Sequence, residues 1–284
     1  MGALAFITWR GLIATAVLLP VIWWVGRRIG PGHGVRDLPR HRQRALLAVC
    51  LIGAALNIAM FQSFLLTTVA VALICFYTFP AIVTIAAVPL YGERIDGLRA
   101  SALVLSAIGL VLVVLAPVLD SSDVVINPVG VLLAFGAAIC QATFILMVGR
   151  GFDPLPPVRV SILALFAAAA VAIPLALITG NTAGLSVPFE TPEAWVWILA
   201  GGIAGAAIPT TAFVTGIGII GPSRAAIMMT IEPLVAIIIA ALFLGEHPAP
   251  IQLVGGAAVL VAAAILQVAP RTAVAREPET GPLV

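Results

Sequence analysis

Two charged side chains lie deep inside long apolar stretches of this chain, away from the ends of the stretches, where a charge is costly to bury. Arg10 lies in the apolar run 3–26, and Glu232 lies near the middle of the run 221–244. A guanidinium can hold a carboxylate through two parallel hydrogen bonds, and a buried carboxylate can bind an amine or take up a proton. We predict both as substrate-binding residues. The alternatives are structural: Arg10 could extend to the membrane interface, and Glu232 could satisfy the backbone disturbed by Pro233.

Uncharged polar residues in the apolar runs form a second group, and several recur at a separation of 153 residues. The matched pairs are Asn57 with Thr210, Gln62 with Thr215, and Tyr77 with Thr230. Gln141 and Thr143 add two polar groups in the run 127–149. Each alone could be a helix–helix hydrogen bond, worth about 0.6 kcal/mol on average in membranes. As a group they predict a weakly polar cavity, with Asn57, Gln62, Tyr77, Gln141 and Thr210 as further substrate-binding candidates.

The composition identifies the elements that must position these residues. Apolar residues make up 62% of the chain, charged residues only 9%, and mean hydropathy is +1.19. A soluble domain carries about 25% charged residues, so the composition indicates a membrane protein. Runs of this length cross a bilayer as helices, which satisfy their own backbone polar groups. The nine predicted spans are 3–26, 45–66, 68–91, 98–117, 127–149, 157–179, 193–219, 221–244 and 251–269.

The distribution of charge predicts the orientation of these spans. All 14 basic residues are arginines, and every one except Arg10 falls on one side of the nine spans. The opposite loops 118–126, 180–192 and 245–250 contain acidic residues and no arginine. Because positive loops stay in the cytoplasm, we predict a multi-pass protein of the inner or plasma membrane with a cytoplasmic C-terminus.

An internal duplication organises the chain. Pro80 and Pro233 stand at the same distance before Gly92-Glu93 and Gly245-Glu246, and Ala116-Pro117 recurs as Ala269-Pro270. All of these pairs are separated by 153 residues, which indicates a repeated unit. Equivalent spans are five apart, an odd number, so the two copies cross the membrane in opposite directions.

The predicted fold is therefore an all-α membrane helical bundle of two inverted repeats. The first repeat covers 1–117, the second covers 118–270, and 271–284 form a tail. Span 127–149 has no counterpart, because subtracting 153 places its partner before Met1. We expect that the first repeat lacks its first helix, so that nine of ten helices are present.

Local motifs also indicate a family. Thr78-Phe79-Pro80 through Gly92-Glu93-Arg94, Ile231-Glu232-Pro233 through Gly245-Glu246, and the segment from Phe6 to Gly11 resemble the EamA-domain branch of the drug/metabolite transporter superfamily. The resemblance implies a ten-helix carrier that moves small metabolites outward. These motifs specify the fold far better than the substrate.

The predicted function is a secondary transporter that exports small metabolites such as amino acids by alternating access. The expected partners are a small-molecule solute, a coupled proton or exchanged solute, and the lipid bilayer, without nucleic acid. The alternative is an intramembrane or lipid-modifying enzyme, which would need clustered acids or histidines. The three cysteines have no paired ligand spacing, so neither a disulfide framework nor a metal site is indicated, and no cofactor is expected. Gly201 and Gly205 form a GxxxG pattern, which predicts close helix packing.

Overall fold

The helices of the predicted bundle are present throughout the part of the chain that the structure describes. A computed structural model describes residues 2–29, 34–92, 96–119, 125–235, 238 and 249–268. Within these ranges every regular element is a helix or a helical turn, and no strand occurs. The prediction of an all-α fold is therefore confirmed.

Twelve α-helices and three shorter helical turns follow one another along these ranges. The α-helices are α1 Ala3–Ile29, α2 Arg40–Leu66, α3 Val69–Phe76, α4 Phe79–Tyr91, α5 Gly97–Leu119, α6 Pro128–Gly149, α7 Pro157–Ile178, α8 Ala183–Glu190, α9 Ala194–Gly202, α10 Ile208–Ile220, α11 Pro222–Met228 and α12 Pro250–Val268. The short turns are 3-10 at Val35–Asp37 and Met229–Ile231, and π-helical at Ile203–Ala207.

Seven helical runs within the described residues are long and apolar enough to cross a membrane. They are Ala3–Arg28, Arg40–Leu66, Val69–Tyr91, Gly97–Leu115, Pro128–Gly149, Pro157–Ile178 and Ala194–Ile220. A shorter apolar helix, Pro250–Ile265, covers most of the last predicted span. The predicted span 221–244 lies only partly within the described ranges. These helices make the chain a multi-pass membrane protein.

Three of the predicted spans are interrupted, and each interruption lies next to a proline. The span 68–91 breaks at Tyr77 and Thr78, directly before Pro80 in the first turn of α4. Proline has no N–H, so it fits the first turn of a helix but not its interior ladder. The Thr78 hydroxyl donates to the Cys75 carbonyl at 2.7 Å, which satisfies a group freed by the break.

The span 193–219 widens into the π-helical turn before Pro209, and the 3-10 turn Met229–Ile231 precedes Pro233. By contrast, Pro20 and Pro174 lie inside α1 and α7, which continue past them. The prolines that separate helices are therefore those in spans three, seven and eight of the predicted order.

Two pairs of helices that are equivalent under the 153-residue offset pack against each other in opposite directions. In α5 and α12, a Cβ at Gly109 would come within 2.6 Å of the Gly255 carbonyl oxygen. Ala102, which comes before Gly109 in α5, shares a buried cluster with Ala262, which comes after Gly255 in α12. Earlier residues of α5 therefore lie beside later residues of α12. The two helices are thus antiparallel, and small residues let their backbones touch.

The helices α1 and α7 show the same relation. Gly2 lies beside the Asn181 side chain, whereas a Cβ at Gly11 would come within 2.7 Å of the Leu165 carbonyl oxygen. The residue nearer the start of the chain therefore lies beside the end of α7, and the later residue of α1 lies beside an earlier residue of α7. A second pair of offset-related helices is therefore antiparallel and in close contact.

Aromatic and basic residues cluster at the ends of the helices. Near the end of α1, the guanidinium groups of Arg27 and Arg28 lie 4.6 and 3.9 Å from the ring centroids of Trp23 and Trp24. At the other end of the bundle, Trp9 and Trp195 make an edge-to-face contact at 5.4 Å. Such aromatic groups suit the interface between lipid and water.

Several sequence motifs lie outside the described residues. They include Glu93, Arg94, Gly245-Glu246, Ala269-Pro270 and the tail 271–284. Gly92 is described, and it ends α4 in the left-handed conformation with φ 64°. The repeat boundaries 1–117 and 118–270 stay a prediction.

Candidate functional site

A cavity of about 640 Å³ opens between helices of both halves of the chain. Its wall takes residues from α1, α2, α6 and α7, from the π-helical turn and α10, and from the segment around the Met229–Ile231 turn. Its polar side chains are Arg10, Asn57, Gln141, Thr210 and Glu232. Its larger apolar side chains include Leu56, Phe144, Phe213, Met228 and Met229. A mostly apolar wall with a few convergent polar groups is the usual form of a small-molecule site.

Glu232 carries the negative charge of this cavity. It follows the 3-10 turn Met229–Ile231, and its side chain is exposed on the cavity wall. Its carboxylate accepts a hydrogen bond of 3.3 Å from the Tyr77 hydroxyl. Tyr77 itself is buried among aromatic rings, 5.3 Å from Phe76 and 5.8 Å from Phe79 between centroids. The tyrosine therefore supports the carboxylate from behind without lining the cavity.

Arg10 carries the positive charge. Its guanidinium lies 5.7 Å from the centroid of the Phe61 ring, a cation–π distance, and its charge attracts that of Glu232. Among the described residues, no hydrogen bond joins the two groups. Arg10 and Glu232 are each held by an aromatic residue and face the same space, so both remain available to a solute.

The amide side chains of the cavity are anchored through their nitrogens. Asn57 Nδ2 donates to the Gly53 carbonyl at 2.8 Å, and Gln141 Nε2 lies 3.4 Å from the Met229 sulfur. Within the described part of the chain, neither amide oxygen receives a hydrogen bond. Both oxygens can therefore accept hydrogen bonds from a bound molecule.

The structure does not bring Gln62 into this cavity. Gln62 lines a separate surface groove with Leu51, Leu66 and Val171, where α2 meets α6 and α7. It comes five residues after Asn57, and at about 100° per residue it points about 140° away around α2. For this geometric reason Gln62 lies apart from the cavity that Asn57 lines, and its part in substrate binding stays a prediction.

The remaining threonines among the predicted polar groups donate to main-chain carbonyls three or four residues earlier. Thr143 donates to the Ile139 carbonyl, Thr215 to that of Thr211, and Thr230 to that of Ile227. None of the three is on the cavity wall. Such backbone bonding is the common state of threonine within an apolar helix.

Sequence reasoning missed the contribution of Gly205 and Pro209, which both line the cavity. The prediction of close helix packing at the GxxxG pattern is confirmed for Gly201, where a Cβ would lie 3.3 Å from the Phe6 ring. It is wrong for Gly205, where a Cβ would meet no described atom within 4 Å. The proline inside an apolar run was the signal that could have pointed to this wall.

The described residues contain no group of three His, Cys, Asp or Glu side chains that could hold a metal ion. All three cysteines are free thiols.

Comparisons with known proteins agree with this architecture. The model of the EamA-like transporter family matches residues 1–115 and 128–268. An uncharacterized transporter of Archaeoglobus fulgidus is 28% identical over 229 residues, which cover 80% of this chain and 77% of that protein. A solved crystal structure that is 17% identical superposes with a TM-score of 0.71, covering 94% of this chain and 88% of its own. That likeness concerns the fold alone. Since the family model matches both halves, this chain belongs to the EamA-like transporter family.

Proposed function

We propose that this membrane transporter is a secondary exporter of small zwitterionic metabolites such as amino acids. One observation carries the proposal: Arg10 and Glu232 face one cavity without bonding to each other. Charges at membrane depth are costly and mark substrate or ion pathways. A solute with one carboxylate and one ammonium group would satisfy both.

Electrostatics favour such a solute over a neutral one. Two unit charges 4 Å apart attract by about 4 kcal/mol at an effective dielectric constant of 20. Arg10 is held against Phe61 and Glu232 against Tyr77, so neither needs to move far to meet a ligand. Pre-positioned groups reduce the entropy cost of binding. The apolar side chains around them would accept the body of the solute.

The antiparallel contacts support alternating access of two inverted repeats as the mechanism. The helices α5 and α12 touch at Gly109 and Gly255, and α1 and α7 touch at Gly11 and Leu165. Inverted repeats that rock against each other around a central site are a common transporter design. In this scheme Glu232 would take up a proton, or meet an exchanged solute, when the cargo leaves. We further propose an inner or plasma membrane location with a cytoplasmic C-terminus.

The substitution Glu232→Gln tests this function. It removes the negative charge but keeps the size of the side chain. We expect counterflow of amino acids and polyamines in proteoliposomes to fall about 100-fold, in line with the loss of a buried charge partner. The matched control is Glu193→Gln, which changes an exposed glutamate before α9 and should leave the rate unchanged. Unchanged transport and pH dependence in Glu232→Gln would remove this residue from the mechanism.

A further inference from the structure

The π-helical turn Ile203–Ala207 places main chain on the cavity wall. Gly205 lines the cavity and has no side chain, so its contribution is made by backbone atoms. Ala204 and Pro209 lie on the same wall. Wide helical turns of this kind occur frequently at functional sites.

Hydrogen bonding along this turn leaves carbonyl oxygens without donors. The Ile208 N–H donates five residues back, to the Ile203 carbonyl, and Pro209 has no N–H. The α-helical pattern that follows directs the Thr211 N–H to Ala207. Within this described segment, the Thr210 N–H is then the one main-chain donor left for the carbonyls at 204, 205 and 206. Two of these three oxygens therefore receive no main-chain hydrogen bond.

The other groups of the cavity show which ligand such oxygens suit. The Glu232 carboxylate and the amide oxygens of Asn57 and Gln141 are also acceptors, whereas Arg10 is the one cationic side chain among the described residues of the wall. An ammonium group has three N–H donors and no acceptor. Free carbonyls of interrupted helices coordinate cations in other transporters.

We infer that the π-helical turn is a main-chain acceptor subsite for the ammonium group of the solute. The inference rests on the proposed function and assigns one more part of the same cavity. In this arrangement Glu232 supplies the charge, and the free carbonyls accept the N–H groups that one carboxylate leaves unused. Arg10 is left to hold the carboxylate of the solute.

The substitution Pro209→Ala tests the subsite because it restores an N–H that can bond one of the free carbonyls. Pro174→Ala in α7 is the matched control, since it makes the same change at an exposed proline within a helix away from the cavity. Gly205→Ala is a second variant, which adds a methyl group at the wall where no described atom lies within 4 Å.

Three related probes separate the two ends of a zwitterion. Isoamylamine carries an ammonium group alone, 4-methylpentanoate a carboxylate alone, and L-leucine both. Binding is measured in lipid nanodiscs as the shift in melting temperature, followed by tryptophan fluorescence. In Pro209→Ala and Gly205→Ala we expect isoamylamine and leucine to bind about tenfold more weakly, because hydrogen bonds to a charged group are lost. Binding of 4-methylpentanoate should not change, and Pro174→Ala should match the wild type for all three probes.

The results that contradict the proposals differ from one another. Unchanged amine binding in Pro209→Ala, or equal weakening of all three probes, overturns the subsite while the proposed function stands. Stabilisation by Na⁺ that Pro209→Ala removes, with amine binding intact, overturns the assignment to ammonium. If the wild type binds none of the three probes, the zwitterion proposal itself fails, and the subsite fails with it.

Discussion

The helix α2 and the interrupted helix α9–α10 form matching parts of the cavity wall in different ways. Leu56 and Asn57 on α2 stand 153 residues before Pro209 and Thr210, and all four line the cavity. The helix α2 is continuous, and its Asn57 side chain donates to the Gly53 carbonyl. Its counterpart contains a π-helical turn and a proline. The α2 wall therefore presents a polar side chain alone, whereas the α9–α10 wall presents the Thr210 side chain together with the backbone at Gly205.

The breaks in the two other spans make the same contrast. Thr78 donates to the Cys75 carbonyl, and Thr230 donates to the Ile227 carbonyl, both at 2.7 Å. Phe79 is fully buried after the first break, whereas Glu232, 153 residues later, is exposed in the cavity. Similar breaks thus serve different purposes. The second half supplies the charged and backbone acceptors, and the first half supplies Arg10 and the tyrosine that supports Glu232.

Among the variants that test this difference between the two walls, a bulky residue at Gly205 should reduce transport most. Gly205→Phe would project a ring into the cavity from the π-helical turn. We expect counterflow to fall about 100-fold, because a small displacement of a bound substrate can reduce the rate by that factor. Gly136→Phe on α6 is the control, since a Cβ there also meets no described atom within 4 Å but the residue is not on the cavity wall. Equal inhibition by both variants, with normal melting temperatures, would show that the cavity is not the transport route.

A smaller effect should separate the two helix breaks. Tyr77→Phe removes the donor to Glu232 and keeps the aromatic packing, so we expect about tenfold weaker solute binding. Thr230→Val removes only a bond to the backbone of its own segment and should lower the melting temperature with little change in binding. Both quantities can be read from fluorescence-monitored melting with and without leucine. Similar binding losses in the two variants would argue against a special role for Tyr77.

The smallest effects should come from the two matched polar side chains. Asn57→Leu and Thr210→Val each remove one hydrogen-bonding group of the cavity, and about threefold slower counterflow follows from an average membrane hydrogen bond. Gln62→Leu is the control, because Gln62 lies in the separate groove. A loss in Gln62→Leu as large as in Asn57→Leu would contradict the placement of the site.

Much of the fold could be predicted from residue types and their order. Long apolar runs predict membrane helices because lipid offers the backbone no hydrogen bonds, and those helices are present. Prolines favour helix breaks because they cannot donate within a helix, but their presence alone did not fix the breaks, since α1 and α7 continue past Pro20 and Pro174. Arg10 and Glu232 stood out because few charges occur inside the apolar runs, and the structure places both on one cavity.

The detailed site depended on three-dimensional packing. The sequence grouped Gln62 with Asn57, but helical rotation separates them. The GxxxG pattern predicted close helix packing at Gly205, but the neighbouring helices leave space there and the residue lines the cavity. The hydrogen bond between Tyr77 and Glu232 joins residues 155 positions apart. By itself the sequence determined that the chain forms membrane helices and which charges lie within them, because these properties are local. Only the tertiary structure decided which side chains and carbonyls share one cavity, because that depends on how each helix is rotated against its neighbours.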